Sequence, residues 1–166
     1  TTKIIEMSSN AYLHEAEIII DNYKIKEYEN GKMIYINGFS MLSNPGCPVV
    51  PFKMLIFELP PGAIVRSISV RFISKEILNI NPNELVSAGF VYTTNCCVNE
   101  TTLNEYPPKN YGVVFDGYFR GKRLLQLCMY PVKCIFDEHK VILYKKIKIT
   151  ISFEIKEAKY VEPLGF

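Results

Sequence analysis

Apolar and polar residues alternate most regularly near the C-terminus, where Ile147, Ile149, Ile151, Phe153 and Ile155 are interleaved with Lys146, Lys148, Thr150, Ser152, Glu154 and Lys156. A period of two predicts a strand that buries those five side chains together on one face. Leu125, Leu127 and Met129 share one parity in the preceding segment. The apolar set then moves to even positions at Val132, Cys134 and Phe136, after Pro131. That change of parity predicts a bulge or an edge position at Pro131, where a missing N–H does no harm. The short polar run 137–140 between these segments predicts a hairpin. A second hairpin is predicted about Asn30-Gly31, between the apolar runs 17–26 and 33–39, because both residues tolerate positive φ. Ile64, Ile68, Val70 and Phe72 share a parity in a further strand, and residues 52–59, 87–93 and 112–119 complete a set of about eight.

Helical turns have room only within 8–16 and 75–85, so repeated βαβ units are not available. The expected architecture is all-β, an antiparallel β-sandwich. Turn chemistry agrees with this. In Asn44-Pro45-Gly46-Cys47 the proline fixes φ at the first central position and the glycine allows positive φ at the second, as a type II turn requires. Pro61-Gly62 repeats the device. Residues 74–111 alternate least and hold seven of the asparagines, which predicts a long functional or mobile excursion.

A chain of 166 residues fits a single domain, 1–166, and no repeat or linker divides it. With 48% apolar and 22% charged residues it has the composition of a folded globule. The net charge of +2 gives no electrostatic reason to expect nucleic acid as partner, and no apolar stretch approaches the length of a membrane span. Five cysteines (47, 96, 97, 128 and 134) cannot all pair with one another, and their spacing is not that of a zinc site. Cys128 is expected to be a small core residue. His14 and His139 are expected at the solvated surface, and no phosphate-cradling glycine loop is present. No metal or organic cofactor is therefore expected. Asn99-Glu100-Thr101 is a glycosylation sequon, usable only in a secreted chain.

The order of the turn motifs is more specific than any single residue. Gly46-Cys47-Pro48-Val49-Val50-Pro51, the apolar strand after it, and Leu59-Pro60-Pro61-Gly62-Ala63 resemble the "G-x-P-x-L-P … L-P-x-G-A" pattern in the propeptide domain of gingipain-type secreted cysteine peptidases. Tyr106-Pro107, then Gly117-Tyr118-Phe119-Arg120-Gly121, then Tyr130-Pro131-Val132, are similar to the same family's "Y-P … G-x-x-R-G … P-V" run. The resemblance covers about residues 35–157. Val50 stands where the family often has leucine, and Cys134-Ile135-Phe136 lacks its usual further proline. The His-Gly dipeptide of the catalytic domain is missing, since His14 precedes Glu15 and His139 precedes Lys140.

The resemblance implies a non-catalytic pro-segment, secreted or at the cell surface, which assists folding of a cysteine peptidase catalytic domain in the same precursor. It would cover the active-site cleft until removed. Because such enzymes include members that cut after basic residues, the resemblance also implies that a lysine in the 74–111 excursion, Lys75 or Lys109, occupies the specificity pocket. The prolines and glycines of the motifs are expected to shape turns, with contacts to the enzyme left to loops. A different class, a surface adhesion or carbohydrate-binding β-sandwich, is the rival reading, since one fold hosts many functions and eleven tyrosines could form a platform.

Overall fold

The computed structural model describes residues 2–8, 10–88 and 104–156. The strands are β1 (Thr2–Ser8), β2 (Ala11–Ile19), β3 (Tyr23–Tyr28), β4 (Gly31–Ile36), β5 (Ser40–Leu42), β6 (Val50–Leu59) and β7 (Ala63–Leu78). After a 3₁₀ turn (Pro82–Glu84) come β8 (Glu105–Tyr106), β9 (Tyr111–Phe119), β10 (Lys122–Met129), β11 (Val132–Ile135) and β12 (Lys140–Ile155). The pairing in all three sheets is antiparallel. β12 is the axis of the larger sheet, with β7 along one side and β2–β1 and β11–β8 sharing the other. A four-stranded sheet, β5-β6-β10-β9, covers it.

The two layers meet through one core, in which Phe57 and Leu59 of β6 and Leu125, Leu127 and Met129 of β10 pack on Ile147, Ile149, Ile151 and Phe153 of β12. The expected sandwich is thus observed, and the alternation that predicted β12 has its cause in this face. Ile155, at the strand end, is half-buried. Val141 and Leu143 continue the same parity into a second core with Ile34 and Ile36 of the β3–β4 hairpin, Cys47, Val50, Tyr106, Val132 and Cys134. One strand therefore anchors both ends of the molecule.

Four expectations are corrected. The described residues of 8–16 form no helical turn, because β1 and β2 form a hairpin in which Ile4 faces His14 across the ladder. The run 17–26 is two strands rather than one, parted where Ile20 donates to Lys145 O at 2.8 Å. The β3–β4 turn is Glu29-Asn30, since Tyr28 pairs with Gly31. Gly31 has φ 137° and is needed for a different reason, as a Cβ there would lie 2.7 Å from Glu84 O. Pro131 is neither a bulge nor an edge residue but a buried corner at which the chain leaves the four-stranded sheet for the larger one. The inward parity changes because the sheet changes.

Both type II turns form as expected, with Cys47 N–H donating to Asn44 O at 3.0 Å and Ala63 N–H to Pro60 O at 3.1 Å. Within 75–85, β7 runs on to Leu78 before the 3₁₀ turn. Residues 89–103, which include most of the 87–93 strand, Cys96, Cys97 and the sequon, lie outside the described residues.

Candidate functional site

The motif residues gather at two places in the fold. At one, the β6–β7 turn meets the β9–β10 turn: Gly62 N–H donates to Tyr118 Oη at 2.8 Å, and Arg123 Nε donates to Ala63 O at 2.8 Å. Leu59 and Ala63 are buried beneath. Arg123 also donates to Leu124 O (2.9 Å) and Gly117 O (3.3 Å), forms an ion pair with Asp116 and lies over the Tyr118 ring. Arg120 and Gly121 both have positive φ (49° and 77°), as a two-residue type I′ hairpin requires. At the other place, Asn44 Nδ2 donates to Tyr106 Oη at 3.1 Å, so the turn carrying Gly46 is tied to Tyr106-Pro107. Pro48, Pro51, Pro107 and Pro131 are buried, and Val132 is fully enclosed. These positions set turns and packing, and Arg120 alone among them carries an exposed charge.

Lys75 and Lys109 sit in different settings. Lys75 is exposed on β7, paired with Tyr144 of β12, and so lies in a ladder rather than a loop. Lys109 is exposed on the segment joining β8 to β9, beside a cleft of about 540 Å³ lined by Val70 and Phe72 of β7 and by Tyr111 and Val113 of β9.

Two buried groups escaped the sequence reading. Arg123 is 6% exposed, and its parity with Leu125, Leu127 and Met129 was the available signal of a charge directed inward. His14 is 7% exposed, contrary to the expected surface position, because β2 places it inward with Tyr12, Ala16 and Ile18. Its ring meets Phe57 edge-on at 5.1 Å, and neither ring nitrogen has a hydrogen-bond partner among the described residues. It therefore pairs with no thiol among the described residues. Burial pushes the Cys134 thiol up to about 12, so it is not a nucleophile at neutral pH. Cys128 is buried as expected, and His139 is exposed in the β11–β12 turn. No group of three or more potential metal ligands forms among the described residues.

Burial also holds the His14 pKa below its ordinary value of 6.5. The unfolded chain thus takes up a proton that the folded chain resists, so this contribution to stability is complete above about pH 6.5 and is lost as pH falls toward the lowered folded value. Urea unfolding between pH 7.5 and 5 is expected to show a loss of stability that His14→Phe largely removes. An identical pH slope in the variant would contradict this assignment.

A family model described as Propeptide_C25 matches residues 18–162. The chain belongs to this family of gingipain-type propeptides. No curated protein matches the chain in sequence. Among solved structures, one concerning the zymogenic latency of gingipain K from Porphyromonas gingivalis superposes with a TM-score of 0.61 at 19% identity, covering 93% of this chain and 92% of that one. The complex of Porphyromonas gingivalis RgpB pro- and mature domains gives a TM-score of 0.62 at 10% identity, covering 95% of this chain and 85% of that one. These likenesses show a shared fold. As a C25 propeptide, the chain is a non-catalytic pro-segment, and the family's peptidases are secreted or held at the cell surface.

Proposed function

We propose that this pro-segment assists folding of a gingipain-type cysteine peptidase domain in its own precursor and covers that domain's active-site cleft until it is removed, outside the cytoplasm. The observation that carries the reading is the family match over most of the chain. A segment that projects between strands can enter a cleft where the broad face of a sheet cannot, so such a segment is the better carrier of the covering contact. Of the two candidate lysines, Lys109 meets that condition: it is exposed, lies between β8 and β9, and forms no ion pair among the described residues. A lysine there suits an enzyme that cuts after basic residues, because an acidic specificity pocket would take its ammonium as it takes a substrate's. Lys75, held in the β7–β12 ladder, would require the enzyme to straddle the sheet. Titrating the cognate catalytic domain with the wild-type domain and with Lys109→Ala and Lys75→Ala is expected to raise the inhibition constant about tenfold or more for Lys109→Ala only, the effect of losing one buried charge contact. Equal inhibition by all three would reject Lys109 and leave the pro-segment role to be judged by the wild-type titration alone.

A further inference from the structure

β9 is bonded to β10 on one side and, among the described residues, to no strand on the other. It is also the most apolar exposed strand of the domain, with Val113, Val114, Phe115, Tyr118 and Phe119 each 37–56% exposed. Proteins ordinarily guard such an edge with charge. β7 and β1, the long outer strands of the larger sheet, follow that rule, carrying Arg66, Arg71, Lys75 and Glu76, and Lys3 and Glu6. β9 carries only Asp116, which is occupied by Arg123. Cations frame the strand instead. Lys109 precedes it, Arg120 and Lys122 follow it, and none of the three forms an ion pair among the described residues.

We propose that β9 is a docking edge for an extended segment of another protein, apolar along its length and acidic at both ends, which adds to the four-stranded sheet as a fifth strand. The unpaired backbone of β9 supplies hydrogen bonds to the incoming strand, and the exposed side chains supply apolar contact. The charges choose between occupants. Antiparallel pairing of two copies of β9 would set Lys109 of one beside Arg120 and Lys122 of the other, a like-charge contact that opposes self-association. A strand ended by carboxylates meets cations at both ends. The edge shares Lys109 with the proposed cleft contact, but the open side of β9 and the cations Arg120 and Lys122 carry the inference whether or not Lys109 enters a cleft.

The test uses the whole chain and a synthetic peptide of alternating threonine and valine, long enough to span β9, with paired aspartates at both ends. The peptide is expected to bind and to slow amide hydrogen exchange in β9. Its affinity should fall about tenfold or more for Arg120→Glu/Lys122→Glu, and for a peptide N-methylated at alternate residues, which keeps its side chains but loses backbone donors. Equal binding of the methylated peptide would overturn strand addition. Equal binding by the charge variant would overturn the acidic partner. A dimer in sedimentation with β9 amides protected would reassign the edge to a second copy. Binding to phosphatidylserine vesicles without peptide binding would reassign it to a lipid surface. A well-folded Arg120→Glu/Lys122→Glu domain, checked by its unchanged unfolding midpoint, keeps the comparison valid.

Discussion

Replacing Arg123 with leucine is expected to destabilise the domain by about 3–5 kcal/mol, the cost of taking a buried charged donor from three carbonyl oxygens at once, with a smaller part from its ion pair to the exposed Asp116. The guanidinium is the common donor to three carbonyl oxygens on the strand ends beside two different turns, that of Ala63 at the start of β7 and those of Gly117 and Leu124 on β9 and β10. Leucine fills much of the volume but leaves those acceptors and Asp116 without their donor, and each orphaned buried acceptor is costly. Arg123→Lys should lose most of the same stability, because an ammonium cannot reproduce the planar fork that reaches Ala63 O while holding Asp116. Urea denaturation of the three proteins reads the difference directly. Wild-type stability in Arg123→Leu would show that the β6–β7 and β9–β10 turns are held without the guanidinium, by apolar packing and the Gly62–Tyr118 hydrogen bond.

Phe153→Ala is expected to cost a similar amount, about 3–5 kcal/mol, for a different reason. The ring is fully enclosed between the layers and stacks on Tyr12 with ring centres 5.4 Å apart, so truncation opens a cavity in the core shared by β6, β10 and β12. The exposed aromatics of β9 provide the contrast. Phe119→Ala, at 56% exposure, should change stability by no more than about 1 kcal/mol. Comparable losses at Phe153 and Phe119 would mean that β9 is packed against something in the isolated domain, contrary to the description of it as an open edge.

Alternation made β12 legible because its odd-numbered side chains enter the core along nearly the whole strand, whereas β2 was hidden by two inward residues, His14 and Ala16, that do not look like core positions in a sequence. The corner at Pro131 was visible as a change of parity, but parity cannot tell a bulge from a passage between sheets, which depends on what the next strand pairs with. Turns with a proline followed by a glycine were read correctly, since their geometry is local. Asn30-Gly31 was displaced by one residue because Gly31 answers a long-range demand, the approach of the 84–86 backbone. The same distinction governs the candidate site. Motif order pointed to the family, yet the contacts joining Gly62 to Tyr118 and Asn44 to Tyr106 connect residues far apart in the chain, and no local rule exposes them. Lys109 could be named from residue type, but its separation from Lys75, one on a connection and one in a ladder, required the strand boundaries.

The measurement that bears most directly on the central claim is activity of the cognate catalytic domain, prepared without its pro-segment, on a peptide substrate during titration with this chain in trans, with size-exclusion chromatography of the mixture alongside. Stoichiometric, saturable loss of activity together with a one-to-one complex is the predicted result. Undiminished activity at excess pro-segment, with the two proteins eluting separately, would contradict it.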